Sequence, residues 1–484
     1  MKRQLKLFQK VSVLILIIMI ILPNVAFAEE DIYADVNNSA FELADVLVND
    51  YGVSAIQYAL ISDGKMILSG TSGTFGKDSI RTLDNQSLFG IGSLSKMFTV
   101  TAIMMLSDQG KLNLDEPVVT YIPEFKMADE RYKEITVRML LNHSSGIMGS
   151  TFVNGFLYDY PSTLTHDGLL PQLTKQQLKA DPGEFSVYCN DGFTLAEIVV
   201  EKISGMSFSE FIHKNITEPL SMSNTYTPQD DFDRNRLVRT FINGEETPAD
   251  TINIIGTGGV YSTAEDLCRL GQIYMNDPGY LPADNLLSQA AKLETMQKEY
   301  QRGFGPDQRE GLFGYGLGWD SVDAYPYSQY NIQPLIKGGD TQLYHSSLIV
   351  LPEHDIAFVA VLSGGSSIFG QVMGQTLILE TLLAENDIED IIPPKYIQAP
   401  VLSSMPFEKT LYAGMYANNM TVNNVSIGKD GKLTISSLSH KDYPDQIYLY
   451  TSEDVFVSED GSKKLYFIEE SNGKTYICIK RVIN

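Results

Sequence analysis

Apolar residues recur at helical spacing from Ala40 to Asn49 and then give way to two largely apolar runs, Ala55 to Ile61 and Lys65 to Gly70. Asp63-Gly64 lies between the runs as a hairpin signal, so the pattern predicts a helix followed by two antiparallel strands. The middle of the chain reads as helical. Met97 to Leu106 is an apolar helix ending near Gly110, Val137 to Leu141 is stopped by Ser144-Ser145-Gly146, and Thr194 to Ile203 is followed by Gly205. Ser262-Thr263-Ala264-Glu265 has the spacing of a capping box and opens a helix running towards Met275. Strand character returns late. Ser346 to Leu351 and Ile356 to Leu362 flank the polar turn Pro352-Glu353-His354-Asp355, and Gly374 to Leu383 closes the region as a helix.

Terminal strands around central helices predict an α+β fold: an antiparallel sheet flanked by helices, with a mainly helical lobe. Beyond Asn386 the periodicity stops. Pro393, Pro394, Pro400 and Pro406 mark residues 386–406 as a linker. From there to Asn484, short alternating runs such as Lys464 to Ile468 and Lys474 to Lys480 are separated by Asp430-Gly431, Asp460-Gly461 and Asn472-Gly473. Residues 407–484 are therefore expected to form a small all-β module.

The N-terminus changes the picture of where the chain works. Lys2, Arg3, Lys6 and Lys10 precede the apolar stretch Val11 to Leu22, and Ala26-Phe27-Ala28 is a small-x-small cleavage site. Residues 1–28 read as an export signal, with the protein secreted or extracytoplasmic. The stretch is short for a membrane span, so membrane attachment requires that this segment be retained. Removing it leaves 456 residues, enough for two or three lobes, and 32 basic against 60 acidic side chains, a net charge of −28. That surface repels phosphate backbones, and there is no basic run, which argues against nucleic acid as a partner. Cys189, Cys268 and Cys478 are too few and too scattered for a disulfide framework. The six histidines form no H-x-x-x-H or similar pair, so no metal site is expected.

Candidate chemistry begins at Ser93 and Lys96. Ser-x-x-Lys occurs four times, at Ser62, Ser93, Ser426 and Ser471, and only the Ser93 copy leads into a helix. There positions i and i+3 share a face, so the Lys96 amine can approach the Ser93 hydroxyl, and a desolvated lysine can take its proton. A helix-capping serine beside a solvated lysine is the ordinary alternative. Tyr188-Cys189-Asn190 places a phenol and an amide on one side of an extended stretch. A tyrosine near lysines can act as base towards the serine and as acid towards a leaving group. Lys337-Gly338-Gly339 adds fixed positive charge, with two glycines against which a substrate can lie. Each of the three is weak alone. Their order is what carries weight.

Taken together, Ser93-x-x-Lys96, Tyr188-x-Asn190 and Lys337-Gly338-Gly339 resemble the three motifs of serine β-lactamases and penicillin-binding proteins. The Tyr-x-Asn form is similar to class C β-lactamases, D-alanyl-D-alanine carboxypeptidases, D-aminopeptidases and related esterases. Supporting stretches are Leu140 to Gly146, Gly258 to Thr263 and Tyr315 to Trp319, and the resemblance covers residues 35 to 385. It implies a serine hydrolase that forms an acyl-enzyme on D-amino-acid peptide, ester or β-lactam carbonyls, with no metal or organic cofactor. Ser93 is then the nucleophile, Lys96 and Tyr188 share the proton traffic, and Asn190 orients Lys96 and contacts the substrate. Lys337, Gly338 and Gly339 bind the substrate, and the backbone N–H groups of Ser93 and Asp340 form the oxyanion hole. The acylation base stays open between Lys96 and Tyr188, and His143 is expected to be structural. Gly338 stands where many penicillin-recognising relatives carry a hydroxyl. With Asp340 alongside, this implies weak recognition of C-terminal carboxylates and slow β-lactam turnover. The expected partner is a small-molecule or peptide substrate, cell-wall peptides included. A cell-surface sensor that captures such peptides without turnover is the alternative. Phe152 to Leu173, with Phe156, Tyr158 and Tyr160, reads as a wall over the site or as packing of the helical lobe, packing being the simpler expectation.

Overall fold

A computed structural model describes residues 32–481, except 78, 152, 154, 185, 278, 280–285, 300–313, 394–400, 418–420, 429, 441, 452–454 and 470–472. The expected export signal lies outside the described residues. Two compact units are present, one of residues 33–302 with 313–390 and one holding the C-terminal region from Ile391.

The larger unit is built on a five-stranded antiparallel sheet. Its strands are β1 (Ala55–Ser62), β2 (Lys65–Gly73), β3 (Leu335–Asp340), β4 (Tyr344–Leu351) and β5 (Ile356–Ser363), in the order β2-β1-β5-β4-β3. The N-terminal hairpin is thus zipped to the C-terminal strands, with Ala59 opposite Val359 in β5. Every residue of β1 and β5 is buried, because helices cover both faces. On one face lies α4 (Ala264–Gln272), where a Cβ at Gly271 would touch Ala357, Leu348 and Val350. On the other lies α5 (Ser367–Ala384), where Gly370 and Gly374 approach Ala360, Leu362, Phe358 and Ile349. Helix α1 (Ala34–Asp50) packs beside α5. Burial on both sides removes the polar alternation that a half-exposed strand shows, which is why these runs read as continuously apolar.

The helical lobe centres on α2 (Lys96–Asp108), whose residues from Lys96 to Leu106 are all buried, and on α3 (Asn190–Ser204), which packs against it. The α+β class holds. Several boundaries move. Helix α5 starts seven residues before the predicted Gly374, since glycines chosen for close approach to the sheet weaken its apolar periodicity. Helix α1 begins at Ala34 rather than Ala40. The cap of α4 is Thr263, whose hydroxyl accepts from Asp266 N at 3.3 Å, and not Ser262. Glu265 instead accepts from the Ser69 hydroxyl at 2.7 Å. That helix closes at Gln272, short of Met275.

The C-terminal unit is a seven-stranded antiparallel meander, β6 (Gly414–Ala417), β7 (Val422–Ile427), β8 (Lys432–Ser437), β9 (Gln446–Tyr450), β10 (Phe456–Ser458), β11 (Lys463–Glu469) and β12 (Thr475–Arg481), each pairing with the next. Gly431, Gly461 and Gly473 take positive φ at its turns, as the dipeptide signals predict. Val425, Leu433, Ile435, Tyr448, Tyr450, Phe456 and Leu465 form its own small core. Among the described residues no helix is long and apolar enough to cross a membrane.

Candidate active site

Ser93 sits in the single 3-10 turn Gly92–Ser95, which runs directly into α2, so Lys96 is the first residue of the helix. The turn is pressed against the end of β3. A Cβ at Gly92, whose φ is +52°, would lie 2.7 Å from Asp340 N, and one at Gly339 would lie 2.0 Å from Ile91 O. Ser346, opposite Gly339 in β4, donates its hydroxyl to Ile91 O at 2.7 Å and ties the sheet to the same turn. Both glycines are therefore demanded by close approach, and their consequence is that the backbone amides of Ser93 and Asp340 neighbour one another.

Lys96 is wholly buried. Its Nζ donates to Asn190 Oδ1 at 2.8 Å and to the Thr257 carbonyl at 2.8 Å, and lies 3.0 Å from Ser93 Oγ. Burial, reinforced by the Lys337 charge, holds its pKa well below the usual lysine value. Asn190 is the first residue of α3, and its amide nitrogen donates to Ser150 Oγ at 2.9 Å, which fixes the oxygen towards Lys96. Tyr188 precedes that helix by two residues, with Cys189 extended between them, so phenol and amide reach one cleft.

The Tyr188 hydroxyl lies in the same cleft as Ser93 and Lys337, near enough for both to act on its pKa. The two lysine nitrogens flank its ring, with Lys96 Nζ 5.0 Å and Lys337 Nζ 5.3 Å from the centroid. Burial raises the Tyr188 pKa, and the Lys337 charge pulls against that rise. Burial alone would lower Lys337, but Asp320 and Tyr188 reverse this and raise it, so its ammonium stays charged.

Asp320 had no place in the sequence-derived site. It pairs with Lys337 Nζ at 2.7 Å and accepts from Gly338 N at 2.9 Å. The one signal for it was position, immediately after the Tyr315 to Trp319 stretch. Ser150 and the Thr257 carbonyl were likewise missed, because a hydroxyl in a loop and a backbone oxygen carry no motif. His143 is buried, accepts from Cys189 N through Nδ1 at 3.0 Å, and lies 4.3 Å from the Tyr188 ring, centroid to centroid. It braces the tyrosine; burial holds its pKa well below the usual value, so it is neutral.

All the sequence-predicted positions, Ser93, Lys96, Tyr188, Asn190, Lys337, Gly338, Gly339 and Asp340, thus meet around one turn. The wall stretch needs correction, since Tyr158 and Tyr160 are 43% and 62% exposed and do not pack the helical lobe. Phe156–Tyr158 pairs with Asp250–Ile252, and the Tyr158 hydroxyl donates to Gln342 Oε1 at 2.7 Å, in the turn that follows β3.

Residues 41–383 match the Beta-lactamase family model. The chain belongs to the Beta-lactamase family. It is 28% identical over 263 residues to penicillin-binding protein 4* of Bacillus subtilis, spanning 49% of this chain and 53% of that protein. With the D-alanyl-D-alanine-carboxypeptidase/endopeptidase AmpH of Escherichia coli K12 it shares 28% identity over 286 residues, 57% of this chain and 71% of that protein. The chain therefore spans about half the length of the first of these relatives. Among solved structures, a class C beta-lactamase superposes with a TM-score of 0.60 at 20% identity, covering 74% of this chain and 100% of that one. The D-amino acid amidase of Ochrobactrum anthropi SV3 gives 0.59 at 20% identity, again over 74% and 100%. The Beta-lactamase fold is accordingly common to this chain and to enzymes named for different substrates, so the fold leaves specificity to local chemistry.

Proposed function

We propose that the protein is an exported serine hydrolase that forms an acyl-enzyme on Ser93 and acts on amide or ester carbonyls of D-amino-acid type, with slow β-lactam turnover. The hydrogen bonding of Lys96 supports its role as acylation base. A neutral amine has two N–H bonds and one lone pair. Asn190 Oδ1 and Thr257 O take the two N–H bonds, which leaves the lone pair for the Ser93 proton. Ser93 Oγ then bonds to the carbonyl carbon while its proton passes to Lys96. The oxyanion is held by Ser93 N–H and Asp340 N–H, worth roughly 3–4 kcal/mol per donor. The Tyr188 phenol, whose pKa is raised, protonates the leaving group. In the second half water adds to the acyl carbon and gives a proton to Tyr188, and Ser93 departs with the proton held on Lys96.

The observation that carries the substrate reading is Asp340. Its Oδ1 accepts from Ser367 N at 3.2 Å and its Oδ2 from the Ser367 hydroxyl at 2.8 Å, at the start of the 18-residue helix α5. His345 Nδ1 lies 2.6 Å from the same carboxylate. Burial alone would raise its pKa, but the His345 and Ser367 contacts hold it below the usual carboxylate range. The protein's own anion therefore fills the positive end of α5 beside Gly338, which has no hydroxyl to offer a second carboxylate. The penicillin-binding and carboxypeptidase relatives and the amidase neighbour support a choice among D-amino-acid amides, esters and wall peptides, and an extracytoplasmic location.

The test is turnover of D-amino-acid amides, short-chain esters and nitrocefin by the purified protein, with Ser93→Ala as blank. Hydrolysis of amides or esters well above that of nitrocefin is expected. Rapid nitrocefin hydrolysis would sink the substrate reading, and acylation without release from any compound would favour the sensor alternative.

A further inference from the structure

The face of α3 that carries Asn190 continues through Thr194 and Glu197 to Glu201, at spacings of three or four residues. Thr194 Oγ1 lies 2.9 Å from Thr257 Oγ1, and Glu197 Oε2 accepts from Gly256 N at 2.8 Å, so this face holds the segment that supplies the Lys96 acceptor. Two turns below Asn190 a separate helix, Leu164–Leu173, brings in His166. Nothing in the acyl-transfer chemistry uses this group of three.

One ligand-capable atom from each of His166, Glu197 and Glu201 lies within 4.8 Å of the other two. His166 Nε2 is buried and stands 3.2 Å from Glu201 Oε2, an ion pair without hydrogen-bond geometry, while Nδ1 lies 3.0 Å from Asp167 Oδ1. Glu197 is 2% exposed; Gly256 N occupies Oε2, and Oε1 receives no donor among the described residues. Glu201 uses Oε1 to accept from Phe208 N at 2.9 Å, which leaves Oε2 for the cluster. Ligand atoms about 2.0–2.2 Å from a tetrahedral ion are about 3.4 Å apart. The His166–Glu201 separation of 3.2 Å is close to this, and Glu197 needs a side-chain adjustment of at most about 1.4 Å.

We propose that His166, Glu197 and Glu201 form a binding site for a divalent transition-metal ion of the zinc class, with water completing the coordination. One imidazole and two carboxylates suit zinc, cobalt or manganese better than calcium or magnesium, which prefer oxygen alone. The site is structural. By locking Glu197 onto Gly256 N, the ion steadies the segment whose next carbonyl, Thr257 O, holds Lys96. Sequence spacing is blind to the site, because its histidine comes from a different helix.

The experiment uses the full chain stripped with a chelator, then titrated with Zn²⁺ by calorimetry and with Co²⁺ by visible absorption. One equivalent should bind with a micromolar or tighter Kd and raise the Tm, and Co²⁺ should show the strong d–d bands of a low-coordinate site. The near-isosteric Glu197→Gln and the His166→Ala variants should each weaken binding at least tenfold. Should His166→Ala fail to fold, Glu197→Gln alone decides. Absence of binding below millimolar metal, or binding that Glu197→Gln leaves unchanged, overturns the proposal.

Discussion

Replacing Lys337 by methionine tests whether Lys96 acts as a neutral base made so by its surroundings. The two lysine nitrogens stand 5.0 and 5.3 Å from the centroid of one ring, so they are no more than about 10 Å apart. At an effective dielectric constant of about 20, charges at that separation repel by roughly 1.7 kcal/mol, or about one pH unit. Removing Lys337 also leaves the Asp320 carboxylate uncompensated, and this too favours protonated Lys96. Both effects raise the Lys96 pKa. The proton-free amine is the reactive form, so the acid limb of the rate profile moves to higher pH by about one unit or more. Tyr188 loses the charge that opposes its burial-driven rise, so the alkaline limb moves the same way. The assay is the pseudo-first-order rate at which a fluorophosphonate labels Ser93 across pH, with Ser93→Ala as blank. Limb positions are independent of amplitude, so the cost of leaving Asp320 buried without its partner, about 3 kcal/mol of stability, does not confuse the result. Lys337→Arg keeps the charge and should keep the limb. An acid limb that stays in place or moves to lower pH in Lys337→Met would refute the argument.

Three further substitutions probe the strand that borders Ser93. Gly339→Ala places a methyl group 2.0 Å from Ile91 O and 2.8 Å from Leu94 N; it should cost about 1–3 kcal/mol in denaturant unfolding and abolish Ser93 labelling. Gly338→Thr meets nothing nearer than 3.7 Å at its Cβ, so unfolding should shift by less than about 1 kcal/mol. It restores a hydroxyl, and nitrocefin turnover should rise. Asp340→Asn removes the resident charge from the start of α5, so KM for a carboxylate-terminated peptide should fall severalfold relative to its amide. An unchanged KM ratio counts against the role given to Asp340.

How much of this was legible beforehand depends on the length scale of each interaction. The α+β class, the hairpin at Asp63-Gly64, the pairing of Ser346 to Leu351 with Ile356 to Leu362, and the turns of the β meander follow from local periodicity and turn chemistry. Ser93, Lys96, Tyr188, Asn190 and Lys337 came together as candidates through the order of three motifs and their resemblance to those of serine β-lactamases and penicillin-binding proteins. Helix starts were less legible: Gly370 and Gly374 serve packing against the sheet, and their low propensity hides the first two turns of α5. The local geometry at Ser93-x-x-Lys96, one helical turn apart, was determined by the sequence by itself. Only the tertiary structure decided that Asp320 pairs with Lys337, that Thr257 O and Asn190 Oδ1 accept from Lys96 beside Ser93, and that Asp340 fills the start of α5. Those contacts join residues 17 to 161 positions apart, and backbone oxygens and charge partners at such separations leave no periodic trace along the chain.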